Sequence, residues 1–206
     1  MSTPVSALGG LLWPSTATQQ PVEPARSGDF GRELSPHRRL FAQFEALRGA
    51  IDDAVALTAD LLRHGGQLLL LGHGSSQQVA ALLAGEINRR SGRWTGIARQ
   101  RATPFTAEQG ATRFIEATGR AGDVALWLAG HGDGAPLLRA VSMAHRLGMA
   151  NVAIVGAGGG AVRTRTDVCL AVAEDNPMRV HEAQLFLGHA LVRQIDAALR
   201  PALQAV

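Results

Sequence analysis

The chain contains no lysine and no tyrosine, and it has a single cysteine among its 206 residues. Without lysine, any mechanism that forms a Schiff base on a lysine amine is excluded. One cysteine cannot form a disulfide within the chain or supply a zinc site built on several cysteines. This residue, Cys169, lies in an apolar run over residues 168–172, which predicts a core position.

Long hydrophobic runs and a strong net charge are lacking too. No apolar stretch approaches the roughly 20 residues of a membrane span, and no positively charged segment precedes the short apolar stretch near the N-terminus. We therefore expect a cytoplasmic protein with no membrane partner. All twenty basic residues are arginine, the formal charge is only +3, and no basic stripe interleaved with aromatics is present. Direct binding of nucleic acid is not predicted.

The apolar content, 46% of the residues, is enough for one good core, so a single globular domain is predicted over residues 35–206. Residues 1–34 are rich in Pro, Ser, Thr, Gln and Gly and have no sustained periodicity. That composition predicts a flexible N-terminal leader or an arm that orders on a partner. The domain itself is expected to open with one long helix, which starts after Ser35-Pro36 and ends before Gly65-Gly66.

From residue 67 onward, apolar runs alternate with helical patterns. The predicted strands are 67–71, 95–98, 123–129, 151–156 and 168–173, and the predicted helices are 75–91, 106–118, 136–148 and 178–199. This alternation predicts an α/β fold with a doubly wound, mainly parallel, five-stranded sheet that is covered by helices on both faces. Ligands of such sheets bind at the carboxyl ends of the strands.

Two similar loops follow the first and the middle predicted strands. The first, after four consecutive leucines, contains Gly72, His73, Gly74, Ser75 and Ser76. Its backbone N–H groups and hydroxyls, at the start of a helix, are predicted to hold a small anion. The second loop, residues 129–132, repeats the Gly-His-Gly pattern around His131, and both loops are expected at the same edge of the sheet.

A third glycine-rich segment, residues 155–161, matches the spacing of a dinucleotide-binding fingerprint, with Glu174 in place of its acidic residue. Only about eleven residues separate it from the next strand, which is too few for a crossover helix. We therefore predict a flexible glycine turn at this position.

Glu86 is expected to leave an apolar helix face, because Val79, Leu82 and Leu83 lie seven, four and three residues before it. A buried carboxylate needs a partner or a raised pKa. The alternative is that Glu86 lies near the helix end and pairs with a nearby arginine such as Arg89.

The last predicted helix places His181, Glu182 and His189 within an arc of about 100°. A lone histidine there would be a packing residue, but two imidazoles and a carboxylate favour acid–base or metal chemistry. The spacing of eight residues is too long for a chelate formed by the two histidines alone. A shared ligand therefore requires Glu86 nearby.

Taken together, these segments resemble the sugar isomerase (SIS) domain family, and within it the phosphoheptose isomerases and the DiaA-like initiator-associating proteins. The resemblance runs from about Ala46 to Leu199. It is carried by residues 68–93, 121–156 and 179–196, in the family's order and spacing.

The resemblance implies aldose–ketose isomerisation of a phosphorylated sugar similar to sedoheptulose 7-phosphate. Glu86 stands where the family has the glutamate that moves a proton between C1 and C2, and His189 where it has the catalytic histidine. Ser76 matches a serine that contacts substrate. The remaining substrate contacts implied are those of Gly72, His73, Gly74, Ser75, His131 and Arg179.

Zinc is the metal that the resemblance implies. Family members that bind it use a helix histidine, the glutamate, a glutamine and the final histidine. Here Leu82 replaces the first ligand and His181 replaces the glutamine. Glu86, His181 and His189 are then the predicted three-ligand set.

The chain also departs from the resemblance, and the departures favour a second hypothesis. The segment that should hold the phosphate, residues 129–134, contains no hydroxyl, and Asp133 adds a negative charge there. The alternative is a non-catalytic SIS regulator or a DiaA-like oligomeric scaffold for a protein partner. Under either hypothesis the resemblance implies a homo-oligomer, a tetramer, in which Glu86 and His189 can meet across an interface.

Overall fold

The computed structural model describes residues 28–91 and 110–203. The chain divides into two compact units, Met1–Ser35 and Pro36–Val206. Residues 1–27 of the predicted leader and the predicted strand 95–98 lie outside the described residues, so both stay predictions. No helix within the two described ranges has the length and hydropathy needed to cross a membrane.

The described elements alternate along the chain. The helices are α1 (Gly28–Ala42), α2 (Arg48–Arg63), α3 (Gln77–Ser91), α4 (Gly110–Thr118), α5 (Ala135–Arg146) and α6 (Pro177–Leu203). The strands are β1 (Leu68–His73), β2 (Val124–Ala129), β3 (Ala150–Val155) and β4 (Val168–Ala171). Short 3-10 segments cover Gln43–Leu47, Gly74–Ser76 and Ala157–Thr164.

The four described strands form one parallel sheet in the order β1-β2-β3-β4. β2 is buried along its whole length, as expected for strands that are covered on both faces and read as unbroken apolar runs. The predicted α/β fold with a parallel sheet is confirmed, and the predicted fifth strand is not among the described elements.

Alternate residues of β1 enter two separate cores. Leu68 and Leu70 pack into a core with residues of α2, α3 and α6, while Leu69 and Leu71 pack into a core with residues of α4 and α5. This alternation follows from the two-residue period of a strand. The sheet therefore separates the α3–α6 side of the domain from the α4–α5 side.

The prediction of one long helix before β1 is wrong. α1 begins at Gly28 and contains Pro36 in its interior, where proline removes one hydrogen bond but keeps a helical φ. The 3-10 segment Gln43–Leu47 then separates α1 from α2, while the backbone stays right-handed at Ala42 and Arg48. The segment contains no glycine or proline, and the apolar periodicity continues through it. The sequence therefore gives no signal of the change to the tighter i→i+3 hydrogen-bond pattern.

The loops after β2 and β3 pack closely against each other at the carboxyl end of the sheet, and glycines make this close approach possible. A Cβ on Gly132 would lie 1.8 Å from the carbonyl oxygen of Gly159, and one on Gly156 would lie 2.5 Å from that of Gly130. Between β3 and β4 the chain forms 3-10 turns with positive φ at Gly158, Gly159 and Gly160 and contains no crossover α-helix. The predicted glycine turn is confirmed.

Candidate active site

Helices α3 and α6 are in close contact at Gly188. A Cβ on this residue would lie 2.4 Å from Leu83 Cδ1, so only glycine fits without movement of a leucine that is fully buried. Leu83 stands one turn before Glu86 on α3, and Gly188 directly precedes His189 on α6. This contact therefore sets the separation between the Glu86 and His189 side chains.

Glu86 and His189 come together within one chain. His189 Nε2 lies 2.7 Å from Glu86 Oε2, and the two side chains are 37% and 26% exposed. The Nε2 atom is itself buried, and among the described residues it makes no contact that meets the geometry of a hydrogen bond. The contact brings a carboxylate oxygen and a ring nitrogen together, and it is an ion pair when the imidazole carries its second proton.

Arg89, the alternative partner predicted for Glu86, lies farther from the carboxylate than His189 does. Arg89 Nη2 lies 3.9 Å from Glu86 Oε1, and the arginine side chain is 77% exposed. An exposed pair at that separation contributes little to stability. Of the two partners expected from the sequence, the histidine makes the close contact.

A cavity of about 280 Å³ opens beside this pair and is lined by Glu86, Phe186, His189, Val192 and Arg193. Such a volume is close to the lower end of the range for small-molecule sites. Sequence analysis did not identify Phe186 and Arg193. Their spacing from His189, three residues before it and four after it, is the signal that places all three on one helix face.

The first loop contacts α6 through its serine. Ser75 Oγ lies 2.9 Å from His181 Nε2, so His181 faces this loop and not the Glu86–His189 pair. Ser76 is fully buried, and its hydroxyl has no hydrogen-bond partner in the part of the chain that the structure describes. A fully buried hydroxyl can contact a substrate only if the segment Gly74–Ser76 moves. The predicted substrate contact by Ser76 therefore stays a prediction.

The second loop lies beside the first, as expected. A Cβ on Gly134 would lie 2.9 Å from His73 Nε2, which places the His73 ring directly against this loop. His131 is exposed. Asp133 turns toward the following loop, where its Oδ1 accepts a 2.7 Å hydrogen bond from the Ala161 N–H. The negative charge is therefore used to hold two loops together.

Arg179 is engaged by Glu174. Its Nε and Nη2 donate to the two carboxylate oxygens at 2.7 and 3.1 Å. Glu174 also accepts the backbone N–H groups of Asp175 and Asn176, and these bonds, led by those from Arg179, lower the pKa of the carboxyl to about 2. The predicted substrate contact by Arg179 stays a prediction, and its bonds to Glu174 give it a structural role in the first turn of α6.

Gln184 was not recognised as a site residue from the sequence. It is fully buried, and its Nε2 donates to the carbonyl oxygens of Ala129 at 2.9 Å and Ile154 at 3.2 Å. These carbonyls lie at the carboxyl ends of β2 and β3. Gln184 thus fixes α6, and with it His181 and His189, over the end of the sheet.

The predicted zinc ligands do not converge in one chain. Within residues 28–91 and 110–203, no three His, Cys, Asp or Glu side chains come close enough to hold a metal ion. Glu86 and His189 are in contact, but His181 is bonded to Ser75. The described residues do not fit a three-ligand site, and zinc binding stays a prediction.

The chain is similar to known proteins over most of its length. No protein-family model matches it. It is 28% identical over 180 residues to the phosphoheptose isomerase of Campylobacter concisus, covering 82% of this chain and 95% of the relative. It is 30% identical over 169 residues to that of Paramagnetospirillum magneticum, covering 76% and 88%. The structure of a phosphoheptose isomerase from Francisella tularensis has the same fold, with a TM-score of 0.74, 24% identity, and coverage of 82% and 97%.

Proposed function

This chain belongs to the phosphoheptose isomerase family of SIS-domain proteins, and we propose that it interconverts the aldose and ketose forms of a phosphorylated sugar. The observation that carries the proposal is the 2.7 Å contact between Glu86 and His189 beside an open cavity. The similarity to isomerases favours this function over the regulator or scaffold alternative.

Isomerisation moves two hydrogens within the substrate and changes no other atom. In the proposed mechanism, Glu86 in its carboxylate form removes the proton from the carbon next to the carbonyl, and the electron pair left behind forms the double bond of an enediol. Glu86 then returns that proton to the neighbouring carbon. His189 transfers the proton between the two oxygens, so that no charge has to accumulate on either of them.

The surroundings of the pair suit this chemistry. Glu86 is partly buried, which limits competition from water, while the adjoining cavity gives a substrate access to the carboxylate. His189 has a second ring nitrogen with which it can exchange protons, since Nε2 faces Glu86. The pair can therefore move both protons of the reaction without an external acid, Glu86 the one on carbon and His189 the one on oxygen.

Arg193 is the proposed contact for negative charge in this cavity. Its guanidinium lines the same wall as His189, and no salt bridge to it is found among the described residues. A charge-assisted bond to a phosphate contributes about 1.5–3 kcal/mol, which offsets part of the loss of hydroxyls from the second loop.

A homo-oligomer, with a tetramer as the specific prediction, remains part of the proposal. Phe41 and Phe186 are 38% and 44% exposed, and with Phe44 they line a groove of about 580 Å³. Exposed aromatics of this kind are common at subunit contacts. The Glu86–His189 contact lies within one chain and does not depend on that assembly. A cytoplasmic location, where phosphorylated sugars are made and used, also stays a prediction.

The proposal is tested by following exchange between solvent deuterium and the protons on C1 and C2 of sedoheptulose 7-phosphate and other ketose phosphates. We expect exchange and conversion to the aldose with the wild type, and neither with Glu86→Gln. Glu116→Gln, an exposed glutamate on α4, is the matched control and should behave as the wild type. Absence of exchange in the wild type, at high enzyme concentration with and without added zinc, would remove the proposed function.

A further inference from the structure

A second cleft lies on the α4–α5 side of the sheet, away from Glu86 and His189. Its volume is about 380 Å³, and its polar lining consists of Thr112, Arg139, Ser142, Arg146 and Arg165. No acidic residue is among the lining residues that the structure describes. Leu138, which also lines the cleft, packs against the core formed by α4 and α5, which places the cleft across the sheet from the proposed active site.

Three arginines line this cleft: Arg139, Arg146 and Arg165. Among residues 28–91 and 110–203, none of the three forms a salt bridge to Asp or Glu, and Arg146 Nη2 donates a hydrogen bond to the sulfur of Met143 at 3.3 Å. Like charges gathered around one concavity repel each other and raise the local concentration of anions. Planar guanidinium groups also match the geometry of phosphate oxygens.

The positions of these arginines are fixed by the fold. Arg139 and Arg146 are seven residues apart on α5, which places them two turns apart on one helix face with Ser142 between them. The backbone at Arg165 is held at both ends of its peptide. Its N–H donates to the Val162 carbonyl at 2.9 Å, and its carbonyl oxygen lies 2.9 Å from His145 Nε2. The fold therefore fixes the backbone positions from which the three arginine side chains extend into the cleft.

We propose that this cleft binds the polyphosphate group of a small molecule, as an effector site separate from the isomerase centre. Three cations around one cleft match an anion with three or more charges better than a sugar monophosphate. The hydroxyl of Thr112 adds a donor for a further phosphate oxygen, whereas that of Ser142 donates to the Leu138 carbonyl at 2.8 Å. The described lining contains no aromatic residue on which a base could stack, so the polyphosphate and not a nucleobase is the recognised group.

Titration calorimetry of the full chain with inorganic triphosphate tests the site directly. We expect saturable binding that weakens about tenfold in Arg146→Gln and in Arg139→Gln, as the loss of one charge-assisted bond predicts. Arg38→Gln changes the charge equally at an exposed position outside the cleft and should bind as the wild type. The same affinity for a nucleoside triphosphate and for triphosphate would identify the phosphates as the common determinant. Tighter binding of the nucleoside triphosphate would contradict recognition through the phosphates alone.

A second measurement does not depend on the folding of the variants. Phenylglyoxal modifies exposed arginines, and mass spectrometry of the wild type should show that triphosphate protects Arg139, Arg146 and Arg165 but leaves Arg38 reactive. No binding at millimolar triphosphate, uniform protection of all arginines, or tighter binding of a DNA duplex through these same residues would overturn the proposal. Because binding is measured without turnover, these results are independent of whether the chain is an isomerase.

Discussion

Glu86 and Glu174 each place a carboxylate oxygen 2.7 Å from a basic nitrogen of α6, yet their surroundings differ. Glu174 accepts two N–H groups from Arg179 and two from the backbone, and its pKa falls to about 2. Glu86 has one close contact, with His189, beside an open cavity. At equal distances from a basic nitrogen, Glu174 thus has its carboxylate lone pairs satisfied by four N–H groups and is structural, whereas Glu86 keeps lone pairs that a substrate in the cavity can reach.

The largest expected effect is the difference in kcat between the two variants in which one of these glutamates is replaced by glutamine. Glu86→Gln should lower kcat by about 100- to 10,000-fold, the usual contribution of a general base, with little change in the free energy of unfolding. Glu174→Gln should leave kcat near the wild-type value. Steady-state kinetics and urea unfolding of both variants check this, and a loss of turnover in Glu174→Gln equal to that in Glu86→Gln would remove the distinction.

The second effect concerns the contact between Leu83 of α3 and Gly188 of α6, which sets the distance between Glu86 and His189. Gly188→Ala should destabilise the protein by about 1–3 kcal/mol, because its Cβ meets the buried side chain of Leu83. Activity should fall as well, since α6 must move away from α3. Gly85→Ala is the matched control on α3, because a Cβ there meets nothing within 4 Å. Its greater helix propensity should stabilise the protein by up to about 1 kcal/mol.

Denaturant midpoints for the two alanine variants measure the difference. Equal midpoints would show that the contact between Leu83 and Gly188 is not tight, and would remove the reason given for the short distance between Glu86 and His189.

The third effect is the dependence of stability on pH. Because the folded-state pKa of Glu174 is about 2 and its ordinary value is 4.5, the pair with Arg179 contributes stability above about pH 4.5. That contribution is lost as the pH falls from there toward 2. In thermal unfolding, the free energy of unfolding of Glu174→Gln should decrease less steeply than that of the wild type between pH 4.5 and 2. At neutral pH the variant should be less stable than the wild type by about 1–2 kcal/mol. A variant as stable as the wild type at neutral pH would contradict this role.

The smallest effect is expected at the first loop. Ser75→Ala removes one neutral hydrogen bond to His181, which contributes about 0.5–1.5 kcal/mol. We expect kcat/KM to fall by no more than about tenfold. A reduction as large as that of Glu86→Gln would mean that Ser75 or His181 takes part in the chemistry, and that the site extends beyond one pair.

Sequence reasoning predicted the sheet well because strands covered on both faces must be apolar throughout, as residues 68–71 and Val124–Ala129 are. Periodicity also placed Glu86 and His189 on helix faces that are otherwise apolar. That the two side chains work together was implied by the family resemblance, which allowed them to meet across a subunit interface, whereas the structure brings them together within one chain.

Contacts that depend on the path of the chain between elements were not predicted. Glu174 and Arg179 are five residues apart across the start of α6, a spacing that corresponds to no helical pair. His181 lies on the same face of α6 as His189, but it faces the loop at Ser75 because that loop packs above the first turns of the helix. The 3-10 segment Gln43–Leu47 contains no glycine or proline to mark it.

The most direct test of the account is a double-mutant cycle on Glu86 and His189. The kcat/KM of the wild type, Glu86→Gln, His189→Asn and the double variant would be measured with sedoheptulose 7-phosphate, and His64→Asn would serve as an exposed histidine control. If the two side chains act as one unit in moving the carbon and oxygen protons, the double variant should be about as slow as the slower single variant. Losses that multiply in the double variant would show that the two residues act independently, and would contradict the proposed proton-transfer pair.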